Sequence, residues 1–216
     1  QTSFLEYYFP GSLVLILMFT AIYTTISIIE DRQAGFLQGV LVAPLSPHSM
    51  VAGKVLGGSI IAMIQGLLFL GVALFLNVNW SPGQLAGLIA VLFIASMMMT
   101  CVGFVFAWKM ESTQGFHAIM NLVLMPMWLL SGAFFPVPNL GTGQLSQDIL
   151  HWVMKVNPLT HVVSLVRSLL YEMKLSEEVF WEPSYRTSIL VIVAATAVFF
   201  AWALNVSKRR ISGDMK

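Results

Sequence analysis

The 216-residue chain is unusually apolar: 57% of its residues are hydrophobic, 10% are charged, and its mean hydropathy is +0.82. Soluble domains carry about 45–50% apolar and about 25% charged residues, and small ones leave much of their surface in water. The composition therefore excludes a soluble domain and predicts one membrane domain over residues 1–216. The formal net charge of +1 gives no sign of nucleic acid binding, and we expect no nucleic acid partner.

Five stretches are long and apolar enough to cross a bilayer, because spanning its hydrocarbon core as a helix takes about 20 residues. In chain order they are residues 11–29, 55–76, 85–108, 116–135 and 187–206. Their apolar runs are continuous and do not alternate with polar residues, which favours helices over a membrane β-barrel. The sequence therefore predicts an all-α integral membrane bundle with five spans.

A mixed polar and apolar connection, residues 30–53, follows the first span. It opens on three charged residues, continues with apolar residues at helical spacing, and contains prolines that stop a helix. One interpretation is a linker helix at the membrane surface with solvated charges. The other is a helix that docks on a cytoplasmic partner. The docking candidates are Glu30, Asp31, Arg32, Gly35, Phe36, Leu37, Pro44 and Lys54.

The second and third spans, with the residues just before them, contain glycine pairs, a run of methionines and one cysteine. The pairs Gly53 and Gly57, and Gly83 and Gly87, allow close helix approach. Packing inside one subunit is the first interpretation, and contact between two subunits is the alternative. Residues 97–99 are all methionine, and we expect them to face lipid more than a substrate cavity. Cys101 is expected to be a small buried residue.

An extracytoplasmic segment, residues 136–172, follows the fourth span. Prolines break the helix at its start, and the freed backbone groups are tolerated at membrane depth only when buried in protein or facing water. Residues 144–156 read as a short helix, and Pro158 starts another that runs to about residue 170. The pair is either a re-entrant hairpin or an ordinary loop. Arg167 is expected to snorkel to lipid head groups, with a substrate gate as the alternative.

Basic residues near the span ends predict the orientation. One side of the five-span arrangement holds Arg32, Lys54, Lys109, Lys208, Arg209, Arg210 and Lys216. The opposite side holds Lys155, Arg167, Lys174 and Arg186. Residues 30–53 and the C-terminus are therefore expected in the cytoplasm. A cytoplasmic N-terminus would require a further span before Gln1, so we expect six spans in the intact protein.

The sequence offers no chemistry of its own for energy coupling. It contains no G-x-x-x-x-G-K-[ST] phosphate loop, and its histidines lack metal-ligand spacing. We predict no catalytic, cofactor or metal site in this chain. The spans carry no charge of the kind that couples transport to protons or sodium. A transporter built this way needs an outside energy source, and a separate ATPase subunit that holds ATP and magnesium is the natural one.

Three motifs together resemble the permeases of ABC type-2 transporters. The first is matched by Glu30, Gly35, Leu41, Pro44, Gly53 and Lys54, with Phe36 where the family usually has Thr. The second is Ser131-Gly132-Ala133-Phe134-Phe135-Pro136. The third is Asn157-Pro158-Leu159-Thr160, with Arg167 downstream. They occur in the family's order and cover nearly the whole chain. The resemblance is closest to the exporter branch for drugs, polyketides and nodulation factors.

The resemblance implies the permease subunit of an ATP-driven exporter in the bacterial inner membrane, as a homodimer or paired with a related permease. An elbow helix and a first span would precede Gln1. Residues 30–53 would be the coupling segment that docks on ABC ATPase subunits. Closure of the ATPases would then rotate the first visible span against its dimer mate and open a path between the subunits. The implied outer gate comprises Ser131, Gly132, Phe134, Phe135, Pro136, Asn157, Pro158, Thr160 and Arg167.

Two other classes of function remain open at this stage. A stand-alone channel or secondary carrier would transport without any ATPase. A membrane-embedded enzyme or assembly factor would require catalytic side chains that the sequence does not offer.

Overall fold

A computed structural model describes residues 4–35, 47–76, 80–141, 144–171 and 181–208. Within these ranges the chain is a bundle of helices. They are α1 (Phe4–Tyr23), α2 (Ile26–Gln33), α3 (Pro47–Leu70), α4 (Pro82–Lys109), α5 (Thr113–Trp128), α6 (Leu145–Val156), α7 (Pro158–Tyr171) and α8 (Tyr185–Ser207). A 3₁₀ turn, Gly71–Leu76, extends α3, and a π-helical turn, Leu129–Ala133, extends α5.

Five helical stretches are long and apolar enough to cross a membrane, which confirms the predicted number of spans. They are Glu6–Gln33, His48–Leu74, Pro82–Lys109, Thr113–Ala133 and Tyr185–Ser207. The helices run beyond most of the predicted boundaries, and three of those described, α4, α5 and α8, begin at a serine whose side chain caps the helix. At the start of α4, for example, Ser81 and Gln84 form a reciprocal capping box.

The first span is two helices joined at Thr24 and Thr25. Both hydroxyls donate to carbonyls of the preceding turn, Thr24 to Ala21 at 2.7 Å and Thr25 to Ile22 at 2.6 Å. Bonds of this type bend helices because they compete with the backbone ladder. The interruption separates α1 from α2, which carries the charged residues at its end.

Helix α4 is the centre of the bundle and packs against α1, α3, α7 and α8. Its contact with the first span is close: a Cβ added to Gly103 would lie 2.7 Å from Thr25 Oγ1 and 3.1 Å from the Ile22 backbone. Cys101 is buried, as predicted. Met98 and Met99 are also fully buried, so the prediction that these methionines face lipid is wrong. Their flexible side chains fill the core instead.

The predicted glycine pairs differ in how closely other helices approach them. Nothing lies within 4 Å of a Cβ added to Gly53 or Gly57, so packing inside the subunit is the wrong interpretation for that pair. Gly87 approaches the Leu169 side chain, at 3.2 Å from an added Cβ. The close approach on α3 is made by Gly58, where an added Cβ would lie 2.5 Å from Thr24 Oγ1. The sequence shows where small residues recur at helical spacing, but only the folded structure shows which of them face another helix.

The two short helices predicted after the fourth span are present as α6 and α7. Helix α7 lies among α1, α4, α8 and the π turn, and it is almost entirely buried. Arg167 on α7 is only 3% exposed, so its predicted place at the head groups is wrong. The physical reason is that the folded chain supplies hydrogen-bond and aromatic partners for the guanidinium, described below.

Candidate functional site

The predicted docking residues lie where α2 ends and α3 begins. Asp31 Oδ2 accepts from Lys54 Nζ at 2.5 Å, and the same ammonium donates to Ser27 Oγ at 3.2 Å. Lys54 lies in the second turn of α3, because that helix starts at Pro47 and not near residue 55. The ion pair therefore ties together the two helices on either side of residues 36–46.

Arg32 holds the end of α4. Its Nη2 donates to the Trp108 carbonyl at 2.7 Å and its Nη1 to the Met110 carbonyl at 3.1 Å, and the guanidinium lies 5.7 Å from the centre of the Trp108 ring. The last carbonyls of a helix have no partner within the helix and carry a partial negative charge. Arg32 satisfies two acceptors at this end of α4 and complements its dipole. It is thus part of the bundle's own structure.

Glu30 differs from its two charged neighbours because it is exposed, and no described cation pairs with it. Gly35 ends the helix with a φ of +73°, the left-handed conformation that favours glycine, and its N–H donates to the Arg32 carbonyl at 3.1 Å. The remaining docking candidates, Phe36, Leu37 and Pro44, lie outside the described residues.

The second set of predicted residues surrounds the broken end of α5. Helical geometry fails at Leu130 and at Gly132, whose φ is +75°. Asn157 Nδ2 donates to the carbonyls of Met127 at 2.6 Å and Leu130 at 3.0 Å. The freed acceptors are therefore satisfied by protein, as the argument from membrane depth requires. Ser131 adds a local bond, from Oγ to the Trp128 carbonyl at 2.5 Å.

Asn157 also starts α7, because its Oδ1 accepts the Leu159 N–H at 3.0 Å. Pro158 occupies the first helical position, where its missing N–H has no consequence. Thr160 Oγ1 donates to the Met154 carbonyl at 2.6 Å, which fixes the angle between α6 and α7. This motif thus holds α6 against α7 and joins both to the end of α5.

Arg167 completes the same cluster. Its Nη2 donates to the Gly132 carbonyl at 3.0 Å, its guanidinium lies 4.7 Å from the centre of the Tyr7 ring, and its Nη1 is 3.9 Å from Glu182 Oε1. Burial lowers the pKa of Arg167, while Tyr7 and Glu182 oppose that shift. The cavity beside it measures about 10 Å³, which is room for roughly one water molecule. It is too small for a transported molecule.

Pro136 also lines this cavity, and Phe134 and Phe135 precede it in the chain. Both phenylalanines are exposed, and Phe134 packs edge-on against Tyr8 at 5.3 Å and Trp128 at 6.1 Å between ring centres. The nine outer residues thus gather around the end of α5. The described docking residues instead separate into two structural links and one exposed charge.

Sequence reasoning missed three members of the outer cluster: Tyr7, Glu182 and Trp128. Trp128 Nε1 donates to the Gly11 carbonyl at 2.9 Å, where a Cβ added to Gly11 would lie 2.7 Å from Ala133 Cβ. Tyr7 lies 160 positions from Arg167 and Trp128 lies 117 positions from Gly11, so a motif search does not find these contacts. Glu182 lies only 15 positions from Arg167, but no sequence motif links the two.

In the part of the chain that the structure describes, no three His, Cys, Asp or Glu side chains come together as a metal site. The buried His161 has ordinary partners: Nε2 lies 3.1 Å from the Lys155 carbonyl and Nδ1 lies 3.2 Å from Ser188 Oγ. Burial lowers its pKa, against the opposing bond to Lys155, which favours a neutral ring that donates from Nε2 and accepts at Nδ1.

Residues 1–171 match the family described as ABC-2 type transporter. The "Inner membrane transport permease YhhJ" of Escherichia coli K12 is 28% identical over 210 residues, covering 88% of this chain and 48% of the relative. The "Probable multidrug ABC transporter permease YbhR" of the same organism is 26% identical over 175 residues, covering 81% and 45%. The "Putative transport permease ycf38" of Cyanophora paradoxa is 23% identical over 208 residues, covering 93% and 70%.

The chain spans about half the length of the Escherichia coli relatives. The family match covers most of this chain, and the bundle and motif order described above agree with it. The chain therefore belongs to the ABC-2 type transporter family.

Proposed function

We propose that this chain is the membrane permease subunit of an ATP-driven exporter, works as a dimer, and is powered by separate ABC ATPase subunits that hold ATP and magnesium. The observation that carries the proposal is membership of the ABC-2 type transporter family. The relatives named as transport permeases, one of them as a probable multidrug ABC permease, support the same class.

The docking end has the rigidity that a coupling device needs. Residues 36–46 connect two helices that are joined directly through Asp31 and Lys54, and Arg32 joins the first of these to α4. A force applied to the connection would therefore move α2 together with the bundle core. We assign Asp31, Arg32 and Lys54 to transmission of the force, and exposed Glu30 to contact with the ATPase.

The outer end supports a re-entrant hairpin. Leu145, Ile149, Trp152 and Val156 recur at helical spacing on α6 and are all exposed. An exposed apolar stripe of this kind is stable against lipid and unstable against water. Its neighbour α7 is buried in the bundle. The hairpin would thus enter the bilayer from the outside and close the outer end, with Arg167 pinning α5 to α1.

Orientation and environment complete the proposal. The inner membrane is the natural location for a relative of an inner membrane permease. The distribution of basic residues near the span ends supports a cytoplasmic location for residues 30–53 and the C-terminus and an outside location for residues 136–172.

The test is retention of a co-expressed ABC ATPase subunit from the same source on the tagged, full-length permease in detergent. Removing one member of a charge pair that is buried in an interface costs about 2–5 kcal/mol, so Glu30→Ala should weaken retention roughly 30-fold or more. Arg186→Ala is the matched control, because it removes one exposed charge at the opposite end of the bundle.

Retention that is unchanged in Glu30→Ala would remove the docking role. A wild-type chain that retains no ATPase and still transports would make it a channel or secondary carrier.

A further inference from the structure

A lysine lies between two tryptophans at the C-terminal end of α6. Lys155 Nζ is 4.7 Å from the centre of the Trp152 ring and 5.4 Å from the centre of the Trp181 ring. An ammonium ion is attracted to the face of an aromatic ring at such distances. Lys155, Trp152 and Trp181 therefore form one cluster, the Lys155 cradle.

Buried groups support both indoles of the cradle. The His151 ring is only 1% exposed, and its centre lies 5.9 Å from that of Trp152 and 5.2 Å from that of Trp181. His151 Nδ1 lies 2.7 Å from the Pro138 carbonyl, and the Trp181 N–H donates to the Val137 carbonyl at 3.0 Å. Contacts outside the cradle thus hold the indoles in place, which reduces the conformational entropy that the site would lose on binding a ligand.

The positive charge of the cradle has no carboxylate partner among the described residues. Glu182 directly follows the cradle in the chain, but its Oε1 lies 3.9 Å from Arg167 Nη1. Asp148, also on α6, accepts from the Gly141 N–H at 3.0 Å. The Lys155 ammonium therefore has its aromatic neighbours and remains available to an anion.

The exposed apolar stripe of α6 reaches the cradle. Leu145, Ile149, Trp152 and Val156 form this stripe, so Trp152 belongs to both features. Under the proposed function the stripe faces lipid from the outside. Indoles are enriched at the depth of lipid head groups, and basic residues at a membrane surface attract anionic lipids. A cation between indoles, at the end of a lipid-facing stripe, thus complements a negatively charged head group that carries acyl chains.

We propose that the Lys155 cradle binds the phosphate of an anionic phospholipid in the outer leaflet, with the acyl chains along the exposed stripe of α6. The proposal rests on the membrane position that the proposed function gives to α6, and it adds a lipid ligand to that helix. The ammonium attracts the phosphate, and the stripe favours a lipid over free phosphate because it buries the chains.

The first experiment measures lipid binding to the full chain in detergent by native mass spectrometry, with phosphatidylglycerol compared against phosphatidylcholine. Lys155→Gln should lower phosphatidylglycerol binding about fivefold, the effect of losing one basic residue at an anionic surface, and should leave phosphatidylcholine binding unchanged. Arg186→Gln is the matched control, because it removes an exposed positive charge outside the cradle. Unchanged phosphatidylglycerol binding in Lys155→Gln would overturn the proposal, and so would an equal loss in both variants.

The second experiment separates lipid phosphate from free phosphate. A ligand that binds the folded chain stabilises it, so phosphatidylglycerol should raise the apparent Tm of the wild type in detergent, and less so that of Lys155→Gln. Inorganic phosphate at the same concentration should have no such effect. An equal rise with inorganic phosphate, or an equal rise in the two proteins with phosphatidylglycerol, would refute the proposal. Neither readout requires an ATPase, so a chain that retains none would defeat the exporter proposal and leave this site measurable.

Discussion

Replacing Arg32 should destabilise the bundle, whereas replacing its neighbour Glu30 should not. The Arg32 guanidinium makes two hydrogen bonds to carbonyls at the end of α4, at 2.7 Å and 3.1 Å, and packs on Trp108. Hydrogen bonds to charged groups contribute about 1.5–3 kcal/mol each when buried. Arg32 is only partly buried and its contacts are not additive, so we expect Arg32→Ala to cost about 2–3 kcal/mol.

The assay is thermal unfolding of the full chain in detergent. For a chain of about this size, 1 kcal/mol corresponds to about 2–4 °C, so Arg32→Ala should lower the apparent Tm by about 4–12 °C. Glu30→Ala is the matched control and should change it little, because exposed substitutions usually do. Arg32→Lys should fall between them, since an ammonium does not reproduce the planar fork. Equal melting of Arg32→Ala and Glu30→Ala would refute the assignment of Arg32 as a structural link.

Three further predictions follow from other parts of the structure. Single cysteines at the exposed residues Leu140 and Lys208 should react with an impermeant reagent from opposite sides of the membrane, and reaction from one side would exclude five spans. Asn157→Ala should lower the free energy of unfolding by about 1–3 kcal/mol, because it removes the hydrogen bonds that the amide donates to the carbonyls of Met127 and Leu130; unchanged thermal unfolding in detergent would contradict this. Because burial lowers the pKa of His161, acid favours the unfolded chain, and stability should fall as the pH drops below about 6.5. His161→Gln should reduce that slope, and an unchanged slope would show that another group causes it.

The number of spans and the two short helices after the fourth span could be predicted because local rules govern both. A bilayer requires about 20 apolar residues from each spanning helix, and the five stretches meet this requirement without reference to their neighbours. Pro158 starts α7 where the sequence places it, because proline fixes φ and lacks an N–H. The prolines at positions 136 and 138 predicted that the helix of the fourth span breaks, but the break lies earlier in the chain, at Leu130 and Gly132.

The faces of the helices could not be predicted, because in lipid both the buried and the exposed faces of a helix are apolar. Met98 and Met99 are core residues, although the sequence predicted that they face lipid. Gly53 and Gly57 are open although they read as packed. The amphipathic pattern that separates inside from outside in water is nearly absent from the spans.

The roles of the charged residues were decided by contacts between distant parts of the chain. Arg32 and Glu30 belong to the same short charged cluster, and the sequence does not distinguish their roles. The carbonyls that bind Arg32 lie 76 and 78 positions away. Arg167 meets Gly132, Tyr7 and Glu182 only after α1, α5 and α7 have assembled. The sequence by itself determined which segments enter the membrane, because that depends on composition over about 20 residues. Only the tertiary structure decided which charges hold the bundle together and which remain exposed for a partner, because that depends on where each side chain meets another helix.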